Sequence, residues 1–253
     1  LRSIAEKGEK ILPFYRALVT WKDLYTVWGG EKDWFYAAGG ITGFTNELWT
    51  NKNLFRTPEN PTDEDRAFFM EHVLLNDGVV EWKEFDHPTY GKIEIGGEKK
   101  EWGRIPPSFL LEEECHRNMA FTLYHADMMP LLKISEVKIE KLADGLCKIW
   151  VAIENSRLIP TRLAQDVASR ISPPDIVSLA GPRVKVLSSG RVIDRFFGRV
   201  EAVKRRPERV ELDTIEGMSA ERVQFIVKGS GSFTLTVDSA KGGLLKAEHT
   251  LPN

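Results

Sequence analysis

Between Leu146 and Val237 the chain repeats a pattern that few folds can satisfy, with apolar and polar side chains alternating along short runs. Cys147, Ile149, Val151 and Ile153 alternate with Lys148, Trp150, Ala152 and Glu154. Val223, Phe225 and Val227, then Phe233, Leu235 and Val237, repeat the pattern around a Gly229-Ser230-Gly231 turn. A strand sends successive side chains to opposite faces, so each run has one apolar row and one row facing water. Half-buried antiparallel strands at this spacing, punctuated by Gly and Pro, predict a β-sandwich of immunoglobulin-like or fibronectin-like type. Its boundary falls near Met129-Pro130, so residues 130–253 form an all-β accessory domain and residues 1–129 a different one.

Charge and hydropathy restrict what such a chain can engage. The 253 residues are 42% hydrophobic and carry a net charge of −2, enough apolar material for real cores. Lysine, arginine, aspartate and glutamate are well mixed, without the basic stripe that a phosphate backbone demands, which argues against nucleic acid as a partner. Lys204-Arg205-Arg206 reads as a solvated turn before Pro207. No apolar run approaches the ~20 residues needed to cross a bilayer, so no membrane span is expected. Cys115 and Cys147 fall in different predicted domains and read as two free, buried thiols.

The first half alternates helical and extended segments. Ile4, Ile11, Leu12, Tyr15, Leu18 and Val19 make a helical stripe up to about Trp28, kinked at Pro13. A strand is expected over Ile41 to Leu48, and Thr62 with Asp65 forms a capping-box start for a short helix through Leu75. Two extended pieces between Val79 and Pro107 join at Tyr90-Gly91. A second helix then starts at Ser108, with Leu111, Cys115, Met119, Thr122 and Ala126 on its buried side.

Within this half the run from Tyr25 to Leu48, YTVWGGEKDWFYAAGGITGFTNEL, places one tyrosine and one glutamate around glycines and aromatics. It reads as a helix end broken at Gly29-Gly30, a turn anchored by Trp34 and Tyr36, and a strand ending near Glu47. The segment resembles the last active-site segment of zinc carboxypeptidases of the A and B type, with a tyrosine, Gly-Gly, Asp-Trp and Phe-Thr-x-Glu-Leu in register. The resemblance implies an α/β domain with a mixed sheet, of which residues 1–129 would be the C-terminal portion. It also implies roles: Glu47 as general base on a zinc-bound water, and Tyr25 as the tyrosine that binds the substrate carboxylate. Lys32 would lie at the base of the pocket for the C-terminal side chain and favour acidic ends.

The zinc ligands of that family are a His-x-x-Glu pair and a later histidine, and no histidine here is followed three residues later by glutamate. The resemblance therefore implies that zinc belongs to a missing N-terminal part and that this chain alone binds none. Glu84 with His87 and Glu113 with His116 have Glu-x-x-His spacing, but lack the second pair of helical glutamates that a di-iron bundle needs. The leading expectation is thus part of a secreted or periplasmic metallocarboxypeptidase acting on C-terminal residues of peptides. The alternative is a catalytically inactive binding or scaffold module whose sandwich makes the contacts.

Overall fold

The period-two alternation stabilises a fold only if each apolar row meets another, and the observed strand pairing supplies that partner. The computed structural model describes residues 1–49 and 61–252. Their helices are α1 (Arg2–Ile11), α2 (Glu31–Gly39), α3 (Asp63–Phe68), α4 (Ser108–Asp127) and α5 (Ala164–Ser169). The strands are β1 (Val79–His87), β2 (Gly91–Glu98), β3 (Leu132–Ala143), β4 (Leu146–Asn155), β5 (Asp175–Ala180) and β6 (Val184–Asp194). They continue as β7 (Arg199–Ala202), β8 (Arg209–Leu212), β9 (Ser219–Gly229), β10 (Ser232–Ser239) and β11 (Gly243–Thr250).

The chain divides into two units. One contains Trp28–Phe44 and everything from Ala126 onward; the other contains Arg2–Val27 and Thr45–His125. In the first unit β3 to β11 build two antiparallel sheets, ordered β3-β4-β9-β6-β7 and β11-β10-β5-β8. Register sets Ile149 across from Phe225 and Val151 across from Val223 in one sheet, and Leu235 across from Leu179 in the other. All are buried in a single core that Val210 and Leu212 of β8 complete. Each such side chain contributes about 1.5–3 kcal/mol on burial. The two sheets therefore exclude water from one shared apolar layer, which makes this unit a β-sandwich.

Polar side chains close one end of the sandwich. Asn155, fully buried, accepts from the backbone N–H of Leu131 and Arg157 and donates to the carbonyls of Ile159 and Ile215. One amide thus satisfies loop backbone that burial would otherwise leave unpaired.

The second unit departs from the expected carboxypeptidase-like α/β domain. Among the described residues it holds no mixed sheet, and its strands are the two-stranded antiparallel pair β1-β2. Nor do residues 41–49 form a strand. Trp34 and Tyr36 lie inside α2, which ends with Gly40 in the left-handed region at φ 57°. Gly40 N–H donates to Tyr36 O and Ile41 N–H to Phe35 O, and no neighbouring strand offers the following residues a ladder. Glycine is required at position 40 by more than its φ, since an added Cβ would lie 2.7 Å from Cβ of Asp166.

Other local expectations hold. Thr62 and Asp65 form a reciprocal capping box at the start of α3. The β1-β2 hairpin turns before Gly91, paired with His87. The helix from Ser108 is present as α4, but turned about its axis from the expected face. Leu111, Cys115 and Met119 are exposed, whereas Glu114 and Phe121 are buried. Phe121 packs on Gly8 of α1, where an added Cβ would meet its ring at 2.6 Å. Cys147 is buried as expected and Cys115 is not.

Candidate functional site

The three residues that the sequence marked fall in both units. Tyr25 is 67% exposed and follows a single π-helical turn at Thr20–Leu24. Glu47 is exposed, within the segment that forms no strand. Neither side chain makes a hydrogen bond or ion pair with the other among the described residues. Lys32 lies in the first turn of α2, in the sandwich unit, and Tyr25 and Glu47 lie in the other. Glu47 is therefore not held at a strand end, and Lys32 is held in a helix and not in a turn. The Glu-x-x-His pairs are accounted for locally. His87 Nδ1 accepts from the N–H groups of Thr89 and Tyr90 and shapes the hairpin turn, while Glu84 pairs with Lys92 at 2.7 Å and Glu113 with Arg117 at 2.6 Å.

Two polar clusters arise that the sequence did not mark. In the helical unit the Tyr15 hydroxyl donates to the buried carboxylate of Glu114 and accepts from Trp49 N–H, and Asn118 links Glu114 to Asn46. Burial, with the Glu114 carboxylate beside it, pushes the Tyr15 phenol up to about 12. In the sandwich unit Asp166, fully buried on α5, accepts from Lys241 Nζ at 2.9 Å, from Ser172 N–H and hydroxyl, and from Arg162 Nε at 3.4 Å. Burial alone would raise this carboxyl, but Lys241 and Ser172 outweigh it and hold the group at about 2. Lys241 Nζ also donates to Gly40 O, pinning the end of α2 to the sandwich. Nearby, burial pushes the Asp175 carboxyl up although Ser239 and Thr161 donate to it. Arg162 precedes the N-cap of α5 and reaches Asp166 from outside the helix, and Lys241 comes from far along the chain, so neither partner was legible from helical spacing. Both clusters spend their polar atoms on neighbouring chain, which makes them fastenings.

The β6-β7 hairpin is a feature turned outward. Its tip, Asp194-Arg195-Phe196-Phe197-Gly198-Arg199, places Phe196 at 98% exposure and Phe197 at 83%. The tip is built, not loose. Asp194 Oδ1 accepts from both Phe196 N–H at 2.8 Å and Phe197 N–H at 2.9 Å, and Gly198 takes φ 62° to return the chain. An aspartate bonding the backbone two and three residues on is a turn device that any exposed polar residue could top. Here two of the largest apolar side chains top it, with exposed Arg195 and Arg199 on either side, and Ile193 beside them is also exposed. The signal was present in the sequence as Phe-Phe next to a turn glycine, a position where polar residues are the rule.

Residues 131–250, which span β3 to β11, match a family described as a domain of unknown function (DUF8731). No curated protein matches the chain. Solved structures found as similar include a conjugative transposon lipoprotein from Bacteroides eggerthii, 12% identical, covering 49% of this chain and 97% of its own, with a TM-score of 0.27. A β-glucosidase from Streptomyces venezuelae is 12% identical over 49% of this chain and 15% of its own, with a TM-score of 0.22. A Bifidobacterium adolescentis GH3 β-glucosidase is 11% identical over 48% of this chain and 17% of its own, with a TM-score of 0.23. This chain thus spans less than a fifth of each glucosidase. The carboxypeptidase resemblance is overturned: these matches contain no carboxypeptidase, and its segment adopts neither the strand nor the mixed sheet that the resemblance requires. Among the described residues no helix is long and apolar enough to cross a membrane.

Proposed function

We propose that the chain is a non-catalytic contact module in which the β-sandwich is a rigid carrier for the Phe196-Phe197 hairpin tip. The observation that supports this reading is the near-complete exposure of two adjacent phenylalanines on a turn fastened by Asp194. Leaving both rings in water gains nothing for folding, while an apolar surface that meets them would gain about 1.5–3 kcal/mol per ring fully buried. A turn pre-set by its own hydrogen bonds loses little entropy on docking. We keep within this reading a secreted or periplasmic setting, which the carboxypeptidase resemblance alone had implied, and fractionation of the source cells checks it.

The test separates contact from structure. Phe196→Ser/Phe197→Ser should leave the unfolding free energy within about 0.5 kcal/mol of wild type, as surface substitutions do. Phe225→Ala, in the sandwich core, should cost about 3–5 kcal/mol. Both are read by urea denaturation followed by circular dichroism. A tip variant destabilised as strongly as the core variant would make the phenylalanines part of the fold and end the reading.

A further inference from the structure

We infer that the surface met by the β6-β7 tip is an anionic lipid interface. The inference rests on the contact-module reading and adds the chemistry of the partner. Three observations bear on it. First, the apolar groups are at the apex of a convex hairpin: Phe196 and Phe197 project from the turn itself, so they can enter a soft interface without a shaped cavity opposite them. Aromatic rings settle at the headgroup level of a bilayer, where one side is apolar and the other wet.

Second, the charge on this edge is predominantly positive. From Asp194 to Arg206 the chain carries five cations, Arg195, Arg199, Lys204, Arg205 and Arg206, against two acids, Asp194 and Glu201, although the whole chain has a net charge of −2. Asp194 is already engaged by the two backbone N–H groups of the tip. All five cations are exposed, and none makes an ion pair among the described residues. Arg195 and Arg199 immediately flank the rings, so that when the rings enter the interface the guanidinium groups lie among the phosphates, with their apolar stems covered. Lys204 lies five residues beyond Arg199, about 16 Å along an extended chain, and adds attraction at longer range.

Third, the hairpin is an edge of the sandwich and is hydrogen-bonded to the sheet that forms its core. β7 closes the five-stranded sheet, pairing with β6 from Gly190↔Ala202 to Asp194↔Arg199, and β6 pairs in turn with β9 in the core. Gly190 holds β7 close, because a Cβ there would lie 2.2 Å from Glu201 O. The arrangement is that of a peripheral foot: two rings and a cationic edge give reversible binding, comparable in kind to one weak lipid signal and not to a span.

The experiment is co-sedimentation of the intact chain with vesicles of phosphatidylcholine alone or of an equal mixture of phosphatidylcholine and phosphatidylglycerol. Wild type should partition to the mixed vesicles and fall off as salt is raised through physiological strength. Phe196→Ser/Phe197→Ser should reduce that partition at least about ten-fold, and Phe196→Leu/Phe197→Leu should restore most of it, since the interface reads apolarity and not ring shape. Arg195→Gln/Arg199→Gln should remove the preference for the anionic vesicles while leaving the unfolding curve unchanged. Failure of wild type to bind the mixed vesicles, or equal binding by the serine variant, would overturn the lipid assignment. The contact-module reading fails separately, through the stability of the serine variant.

Discussion

Asp166 shows how much a single residue can fasten in this fold. Its carboxylate has no exposure and collects Lys241, Ser172 and Arg162 from three separate stretches of chain. Its folded pKa of about 2 lies below the ordinary 3.8. The folded state therefore binds this proton less readily than the unfolded one. The resulting stabilisation is complete above about pH 4 and is lost as pH falls towards about pH 2. The shift corresponds to about 2 kcal/mol. Asp175, pushed the other way by burial, gains stability over acid pH and partly offsets that loss in wild type. Asp166→Asn removes the first contribution and, because the Asp166 charge is only a minor cause of the Asp175 shift, only slightly weakens the second, so the difference in unfolding free energy between wild type and variant should narrow as pH is lowered from 5 to 2. It should start from a deficit of about 3–5 kcal/mol, because Lys241 and Arg162 lose their buried partner. A gap that stays constant across that range would show that the Asp166 carboxylate is not held ionised by these contacts.

At the scale of elements, what could be read from sequence depended on whether local pattern and tertiary contact agree. In β4, β9 and β10 the alternation is the burial, so Ile149, Phe225 and Leu235 were legible as core from their spacing alone. In α4 the pattern of Leu111, Cys115 and Met119 pointed to one face, yet the opposing surface offers Tyr15 and Gly8 to the face of Glu114 and Phe121. A buried glutamate looks polar in sequence and becomes interior only because a phenol is there to receive it. The strand expected at Ile41 to Leu48 failed for the opposite reason, having suitable residues but no partner strand. Glu47 lost its strand-end placement with it. The tip was visible as Phe-Phe-Gly, but its full exposure depends on β6 and β7 pairing up to Asp194 and Arg199, which no local pattern announces. One element-scale consequence is unusual. Gly8→Ala in a helix ordinarily gains about 0.5–1 kcal/mol, but here the methyl would meet Phe121 at 2.6 Å and should instead cost about 1–3 kcal/mol. Thermal unfolding checks the sign, and combining it with Phe121→Leu should recover part of the loss; a stabilised Gly8→Ala would mean that α1 and α4 do not pack through this pair.

At the scale of the molecule, the two sheets of the sandwich share one apolar core, and the β6-β7 tip carries two of the most exposed apolar side chains of that unit on a cationic edge. On the proposed reading the fold is a carrier and the β6-β7 tip is its point of contact. Hydroxyl-radical footprinting of the wild-type chain, free and on phosphatidylcholine-phosphatidylglycerol vesicles, tests it residue by residue. Phe196 and Phe197 should react readily in the free chain and be strongly protected on vesicles. Leu244, exposed on β11 at the edge of the other sheet, should react equally in both states. Phenylalanines that stay as reactive on vesicles as in solution, or protection centred on Leu244 in place of the tip, would contradict the account.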